Sequence, residues 1–202
     1  MRLATLANGV GMLKIVKDSV LRVSRSLGYD IVPLREMKER DFALHLRELL
    51  ARLEIDCVLD VGANVGQYHD FLRNKVLFDG PIVSFEPVSR HVETVAVRTL
   101  DVVLPVLQER LGFDRPYLKL DTQGFDIEVL QGGRDSLAAV RALQTEASVI
   151  GIYKGMPGYV DTIRYLDERG FDITGLYPVS RDSSLRLVEF DCVMINRSIA
   201  AN

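Results

Sequence analysis

The chain has 202 residues, 48% of them apolar and 26% charged, with a formal net charge of −3. This length and composition suit one globular domain with a real core. The slight negative charge argues against nucleic acid as the main partner, because phosphate binding wants a basic face, and no apolar run approaches the roughly 20 residues of a membrane span.

The start, MRLATLANGVGML, is neither apolar enough for a signal peptide nor followed by a clear cleavage site, so a cytoplasmic location is expected. Residues 1–29 carry Arg2, Lys14, Lys17, Arg22 and Arg25 against a single acid, Asp18. Leu13, Val16, Val20, Val23 and Leu27 recur at a helical period. Residues 1–38 are therefore expected to form a basic amphipathic helical segment ahead of a domain at 39–202. Two placements stay open for its helix: packing on the domain or on another copy, or resting on an anionic membrane surface. A second helix is expected from Glu39 to about Leu53, with Phe42, Leu46, Leu49, Leu50 and Leu53 on one face and Asp41 or a neighbour capping its start.

From residue 57 the pattern changes. Short valine- and isoleucine-rich runs at 57–61, 81–85, 117–121, 143–150, 172–177 and 188–195 alternate with helical stretches at about 66–75, 101–111, 126–139 and 158–169. Near-continuous apolar strands alternating with helices predict a doubly wound, mostly parallel α/β sheet covered on both faces. Only the loop SRDSSLR separates the last two runs, which predicts a closing antiparallel hairpin. Cys57 and Cys192 sit inside apolar runs and read as small buried residues rather than a disulfide. His45, His69 and His91 show no metal-ligand spacing with them, so no metal is expected.

In such a sheet the first strand–helix turn is the commonest ligand site. Here it reads DVGANVG: Gly62 and Gly66 allow a tight turn and close approach, and the helix that follows points its N-terminus at the ligand. Glu86 ends the second strand twenty positions after Gly66, where a carboxylate is suited to accept both hydroxyls of a ribose. The loop lacks the G-x-G-x-x-G spacing that favours a pyrophosphate, and Asp60 beside it suits an ammonium. S-adenosylmethionine fits these residues better than a nicotinamide dinucleotide. Glu146 lies mid-strand among apolar neighbours, where a carboxylate must be either paired or active.

The motifs DVGANVGQY, IVSFEPV, RTLDVVL, YLKLDTQGFDIEVLQGG, QTEASV, IYKGMPGY and FDCVMIN follow in this order over roughly 39–197. Together they resemble the FkbM family of S-adenosylmethionine-dependent methyltransferases, with LDTQGFDIEVLQG the most specific. The resemblance implies a Rossmann-like methyltransferase fold, S-adenosylmethionine as cofactor, and methylation of an oxygen on a small-molecule, glycan or polyketide-like acceptor. Carried over by position, Gly62, Ala63, Asn64 and Gly66 would line the methionine part of the cofactor, Glu86 would hold the ribose, Asp121 would face the reaction centre, and Gln123 and Gly124 would shape the loop beyond it. Asp121 and Glu146 are the candidate bases, with Asp121 the first choice and His69 a weaker one. Tyr153, Lys154, Gly155 and Met156 are expected on the acceptor wall, with Arg181 and Asp182 as further candidates. Lys119 reads either as a structural ion pair or as part of the site.

One departure stands out. Only thirty residues separate Glu86 from Tyr117, where family members carry a longer connection with a further helix and the third strand. Segment 88–100 therefore reads as shortened, or as lacking residues that the connection elsewhere holds, and the adenine contact has no assignable residue. The remaining alternatives are a non-catalytic interaction module on the same fold and a nicotinamide-dependent oxidoreductase. A homo-oligomer is compatible with either.

Overall fold

Residues 57–61 are four fully buried positions and a half-buried one, a pattern that only a strand covered on both faces can satisfy. In the computed structural model, which describes residues 16, 18–29, 31–33, 36–86, 98–151 and 155–200, this run is strand β1, Cys57–Val61. The chain divides into two compact units, Met1–Arg40 and Asp41–Asn202. In the first, helix α1 covers residue 16 and 18–26. Helix α2, Met37–Arg52, begins two residues before the expected start, so Asp41 lies inside it rather than at its cap.

The second unit continues in alternation. Helix α3 (Gln67–Phe71) runs into a wider π-type turn over Leu72–Val76. Strand β2 (Ile82–Phe85), helix α4 (Leu100–Leu111), strand β3 (Pro116–Leu120), helix α5 (Asp126–Gln131), strand β4 (Ala142–Ser148), helix α6 (Tyr159–Asp167), strands β5 (Phe171–Arg181) and β6 (Leu187–Asn196), and the short helix α7 (Arg197–Ala200) follow. The helix expected over 126–139 is split: α5 stops at Gln131, and Ser136–Ala139 forms a separate 3-10 turn. Two glycines, Gly132 and Gly133, sit in the gap, where the backbone is least suited to continue a helix. Segment 87–97, with most of the connection that reads as shortened, lies outside the described residues. Thr99 precedes α4 as its N-cap.

The six strands form one sheet in the order β2-β1-β3-β4-β6-β5. Pairings β1–β2, β1–β3 and β3–β4 are parallel, and β6 runs antiparallel to both β4 and β5. This is the doubly wound, Rossmann-like arrangement with one reversed strand. From β1 the chain moves to β2 on one side, then crosses back to β3 on the other. Right-handed crossovers in opposite directions put their helices on opposite faces. One face accordingly packs Leu46, Leu49 and Leu50 of α2 and Leu72 over Val58, Tyr117, Ala142 and Val193. The other packs Leu104 of α4, Leu130 of α5 and Leu166 of α6 over Leu59, Leu118, Leu143 and Met194.

The change of direction at β1 opens the strand ends there, and two loops meet across the gap. The Gly62 and Ala63 N–H groups both donate to the Phe85 carbonyl at the end of β2, at 2.9 and 3.1 Å. On the other side a Cβ at Gly62, where φ is +82°, would stand 1.9 Å from the Asp121 carbonyl oxygen beyond β3. Gly62 is therefore demanded by backbone packing as well as by dihedral. Gly66 has φ +87° with nothing within 4 Å of its missing Cβ, so only the dihedral constrains it. Gly62→Ala is expected to cost about 3 kcal/mol or more and Gly66→Ala about 1 kcal/mol. Urea unfolding of the two variants checks the contrast; equal losses would mean that the contact with Asp121 does not constrain the loop.

Candidate active site

On the face covered by α2 and α3, side-chain character changes along the strands. Val58, Tyr117, Ala142 and Val193 give way towards the carboxyl ends of the parallel strands to Asp60, Lys119, Gln144 and Asp191. Because side chains alternate across a sheet, these residues, two positions on, share that face. Asp121 and Glu146 extend it to the rim.

Lys119 is the hub, 4% exposed. Its ammonium lies 2.9 Å from Asp60 Oδ1, donates to the Gly62 carbonyl at 3.3 Å, and stands 3.5 Å from Asp121 Oδ2. The Tyr68 ring of α3 covers it, 5.1 Å from ammonium to ring centroid. A buried ammonium needs this set of negative partners. Asp60 is fully buried; its contact with Lys119 is a close meeting of charges rather than an aligned hydrogen bond, and Oδ2 has no hydrogen-bond partner among the described residues. Asp60 therefore sits beneath the glycine loop and acts on whatever lies above through Lys119.

Next to the hub is a polar relay. Gln144 accepts from Tyr68 Oη at 2.7 Å and Tyr117 Oη at 3.4 Å, and donates to Asp191 Oδ1 at 2.9 Å. Burial raises both tyrosine hydroxyls well above their ordinary range, which keeps them neutral donors. Asp191 is pushed up to about 6, by burial first, with the Gln144 hydrogen bond opposing. It stands directly across the antiparallel pair from Glu146. Glu146 is raised from 4.5 to about 8, by burial and then by the negative charge of Asp121, Glu189, Asp191 and Asp126. Gln123 Nε2 bridges Asp121 Oδ1 at 3.0 Å and Glu146 Oε2 at 3.5 Å. The loop after β3 is held by Asp126, which accepts from the Thr122 N–H at 2.9 Å, from the Thr122 hydroxyl, and from Thr145 Oγ1 at 2.6 Å. Gln123 and Asn64 both adopt left-handed backbone, φ +53° and +49°, a conformation that non-glycine residues rarely hold outside constrained sites.

The glycine loop joins this rim from the other side. Asn64 N–H donates to Glu86 Oε2 at 2.6 Å, so the carboxylate at the end of β2 lies against the loop. Ala63 is buried, whereas Asn64 and Glu86 are exposed. The structure thus gathers Asp60, Gly62, Lys119, Asp121, Gln123 and Glu146 in one network and Glu86 with Asn64 in a second contact. His69 instead sits beside Asp70, 3.4 Å away and half-exposed, as a helix-surface residue. Asp182 is committed to its own hairpin turn through Ser184 and Arg186, and Arg181 donates to the Leu185 carbonyl. Tyr153 and Lys154 lie outside the described residues. Tyr68, Gln144 and Asp191 were not foreseen; the one available signal was a polar residue breaking each apolar strand run. Among the described residues no three of His, Cys, Asp and Glu are grouped to hold a metal ion.

A doubly wound sheet with a glycine turn and polar groups at the carboxyl ends of its strands defines a ligand-binding α/β domain of the Rossmann-like class. The class narrows further: residues 85–173 match the family model described as the methyltransferase FkbM domain, and the resemblance read from the motifs is borne out over those residues. The glycine loop precedes the matched segment. No curated protein matches the chain significantly. Among solved structures, it is similar to an uncharacterised protein from Listeria monocytogenes serotype 4b, at 13% identity over 82% of this chain and 68% of that one, TM-score 0.48. It is also similar to an O-methyltransferase from Bacillus cereus in complex with SAH, at 17% identity over 88% and 89%, TM-score 0.43. A third is magnesium protoporphyrin IX methyltransferase from Synechocystis PCC 6803 with bound SAM, at 15% identity over 91% and 96%, TM-score 0.44. Likenesses this low carry no functional weight.

Two outcomes follow from the charges. Lys119→Met leaves Asp60 as an uncompensated buried carboxylate and is expected to cost about 3–5 kcal/mol, whereas Asp60→Asn with Lys119→Met is expected to recover most of that loss. Urea unfolding of the single and double variants measures the coupling. For Glu146, the folded protein keeps a proton that the unfolded chain gives up between pH 4.5 and about 8. Its contribution to stability therefore falls as pH rises through that window. Glu146→Gln should melt higher than the parent, by a margin that grows from about pH 5 to about pH 8.5. A margin independent of pH would remove Glu146 as the titrating group.

Proposed function

We propose that this chain is an S-adenosylmethionine-dependent O-methyltransferase acting on a hydroxyl of a small-molecule or glycan-like acceptor. The observation that carries the reading is the crowd of carboxylates around Glu146, whose mutual repulsion is a standing demand for a cation at the strand ends. A sulfonium that also bears an ammonium answers that demand; a dinucleotide pyrophosphate does not. The residues present fit such a cofactor in two further respects. Gly66 leaves open space where a side chain would stand, and Glu86 lies against the loop with a carboxylate able to accept ribose hydroxyls. Bound there, S-adenosylmethionine supplies an electrophilic methyl group on sulfur.

The chain's own residues then divide the work. Glu86 orients by accepting hydrogen bonds. Lys119 holds Asp121 and the Gly62 carbonyl in fixed relation, and Gln123 ties Asp121 to Glu146. Glu146 is the general base: a carboxyl held near 8 is matched to removing a hydroxyl proton close to neutral pH. This moves the first choice of base from Asp121, which contacts the Lys119 ammonium, to Glu146. Asp121 becomes the positioning residue beside it.

Calorimetric titration with S-adenosylmethionine tests the reading, and micromolar binding is expected. Glu86→Ala should weaken that binding about tenfold or more, the value of hydrogen bonds to a charged group. Glu146→Gln should lower methyl transfer to a hydroxylated acceptor about 100-fold or more, with little effect on cofactor affinity below pH 6. Titration in buffers of different ionisation enthalpy adds a readout independent of turnover. Cofactor binding near pH 7 should release a proton in the parent and none in Glu146→Gln. Failure of the parent to bind the cofactor at all would overturn the reading.

A further inference from the structure

Helix α1 carries Val16, Val20, Val23 and Leu27 at spacings of four, three and four, which lie along one side of a helix. Burial would hide such a stripe, yet these side chains are 55%, 49%, 59% and 69% exposed, and Tyr29 and Ile31 just beyond are exposed as well. The helix is a finished element. Gly28 turns left-handed at φ +82°, Tyr29 N–H donates to the Ser24 carbonyl at 2.8 Å, and Gly28 N–H donates to the Arg25 carbonyl at 3.0 Å. Those two bonds are the paired closure that ends many helices.

The charge around the stripe says what covers it. Residues 1–29 hold five basic residues against one acid, a balance of +4, while the whole chain carries −3, leaving −7 on the rest. Among the described residues the positions flanking the stripe are Ser19, Ser24 and Ser26. A second copy of the helix would find no acid there to pair with and would bring one basic segment against another. Arg22 and Arg25, both exposed, stand on the polar side of the helix away from the stripe, with Asp18 between them. An apolar stripe on a segment with this basic excess matches an anionic lipid surface.

We propose that α1 is an interfacial anchor that lays its valine–leucine stripe into the surface of an anionic bilayer. Among the described residues no helix is long and apolar enough to cross a membrane, so the contact is with the surface. The proposal is independent of the catalytic reading.

Flotation of the full chain with vesicles tests it. One set is phosphatidylcholine alone, and the other contains about one third phosphatidylglycerol. The chain is expected to float with the anionic vesicles, not with the neutral ones, and to be released by about 0.5 M salt. Arg22→Ala with Arg25→Ala should lower the partition coefficient on the order of 30-fold, each charge near an anionic surface counting for about 1 kcal/mol. Val20→Glu with Val23→Glu should abolish flotation while leaving the melting temperature unchanged. Absence of flotation, or equal flotation with both vesicle types, overturns the proposal. So does a concentration-dependent dimer that Val20→Glu with Val23→Glu dissolves without any vesicle binding, which would give the stripe to a second copy.

Discussion

An ammonium buried under a tyrosine ring, with a fully buried carboxylate on one side, is the constraint on which the rest of the site depends. Lys119 belongs to β3 and Asp60 to β1, adjacent parallel strands in direct register. Their pairing compensates two charges that neither strand could bury alone. The same ammonium reaches the Gly62 carbonyl and the Asp121 carboxylate. One interaction thereby fixes the relation between the two loops that leave the sheet at its change of direction. A core of leucine and valine could have packed these strands equally well. What apolar packing could not do is hold the glycine loop and the β3 loop by charge at a common point.

Beyond that pair the sheet does not minimise its own energy. Burial and then the charge of Asp121, Glu189 and Asp191 raise Glu146, and burial, with the charge of Asp121, raises Asp191. Gln123 beside them holds left-handed backbone without being glycine, as does Asn64 on the glycine loop. Local rules broken together at one rim are what a site built for a ligand looks like, with the apolar ends of the same strands supplying the stability that offsets them. Gln144 shows the care taken in between. It accepts from two tyrosines and donates to Asp191, so a buried amide is satisfied while one carboxylate is steadied.

Much of the frame could be read from residue order. The run CVLDV is β1 without adjustment, and the crossover helix expected at 101–111 is α4 within one residue. The closing hairpin follows the loop SRDSSLR, whose Asp182 organises the turn. These features are local, fixed by hydrophobic period and turn chemistry. The relay was not legible, because its members are far apart in the chain: Tyr68 and Gln144 are separated by 76 positions, Gln144 and Asp191 by 47. Their meeting depends on strand order, in particular on β6 inserting between β4 and β5. Asp60 illustrates the limit in one residue. Its place beside the glycine turn was plain, but its partner on a strand nearly sixty positions later was one of two readings that order alone left open.

The reversed strand has a consequence for how such a site can change over generations. Parallel strands deliver their last residues to the rim, and each then continues into a loop tied to the next crossover helix. Strand β6 runs the other way, so it delivers its opening residues, Glu189 and Asp191, and is preceded by a short self-contained turn. Length and sequence in that turn can vary without disturbing a crossover or the Lys119 hub. One side of the rim is therefore mechanically tied and the other is not. A lineage built on this plan could reshape the second side by editing a hairpin, while the charged hub between β1 and β3 stays as it is.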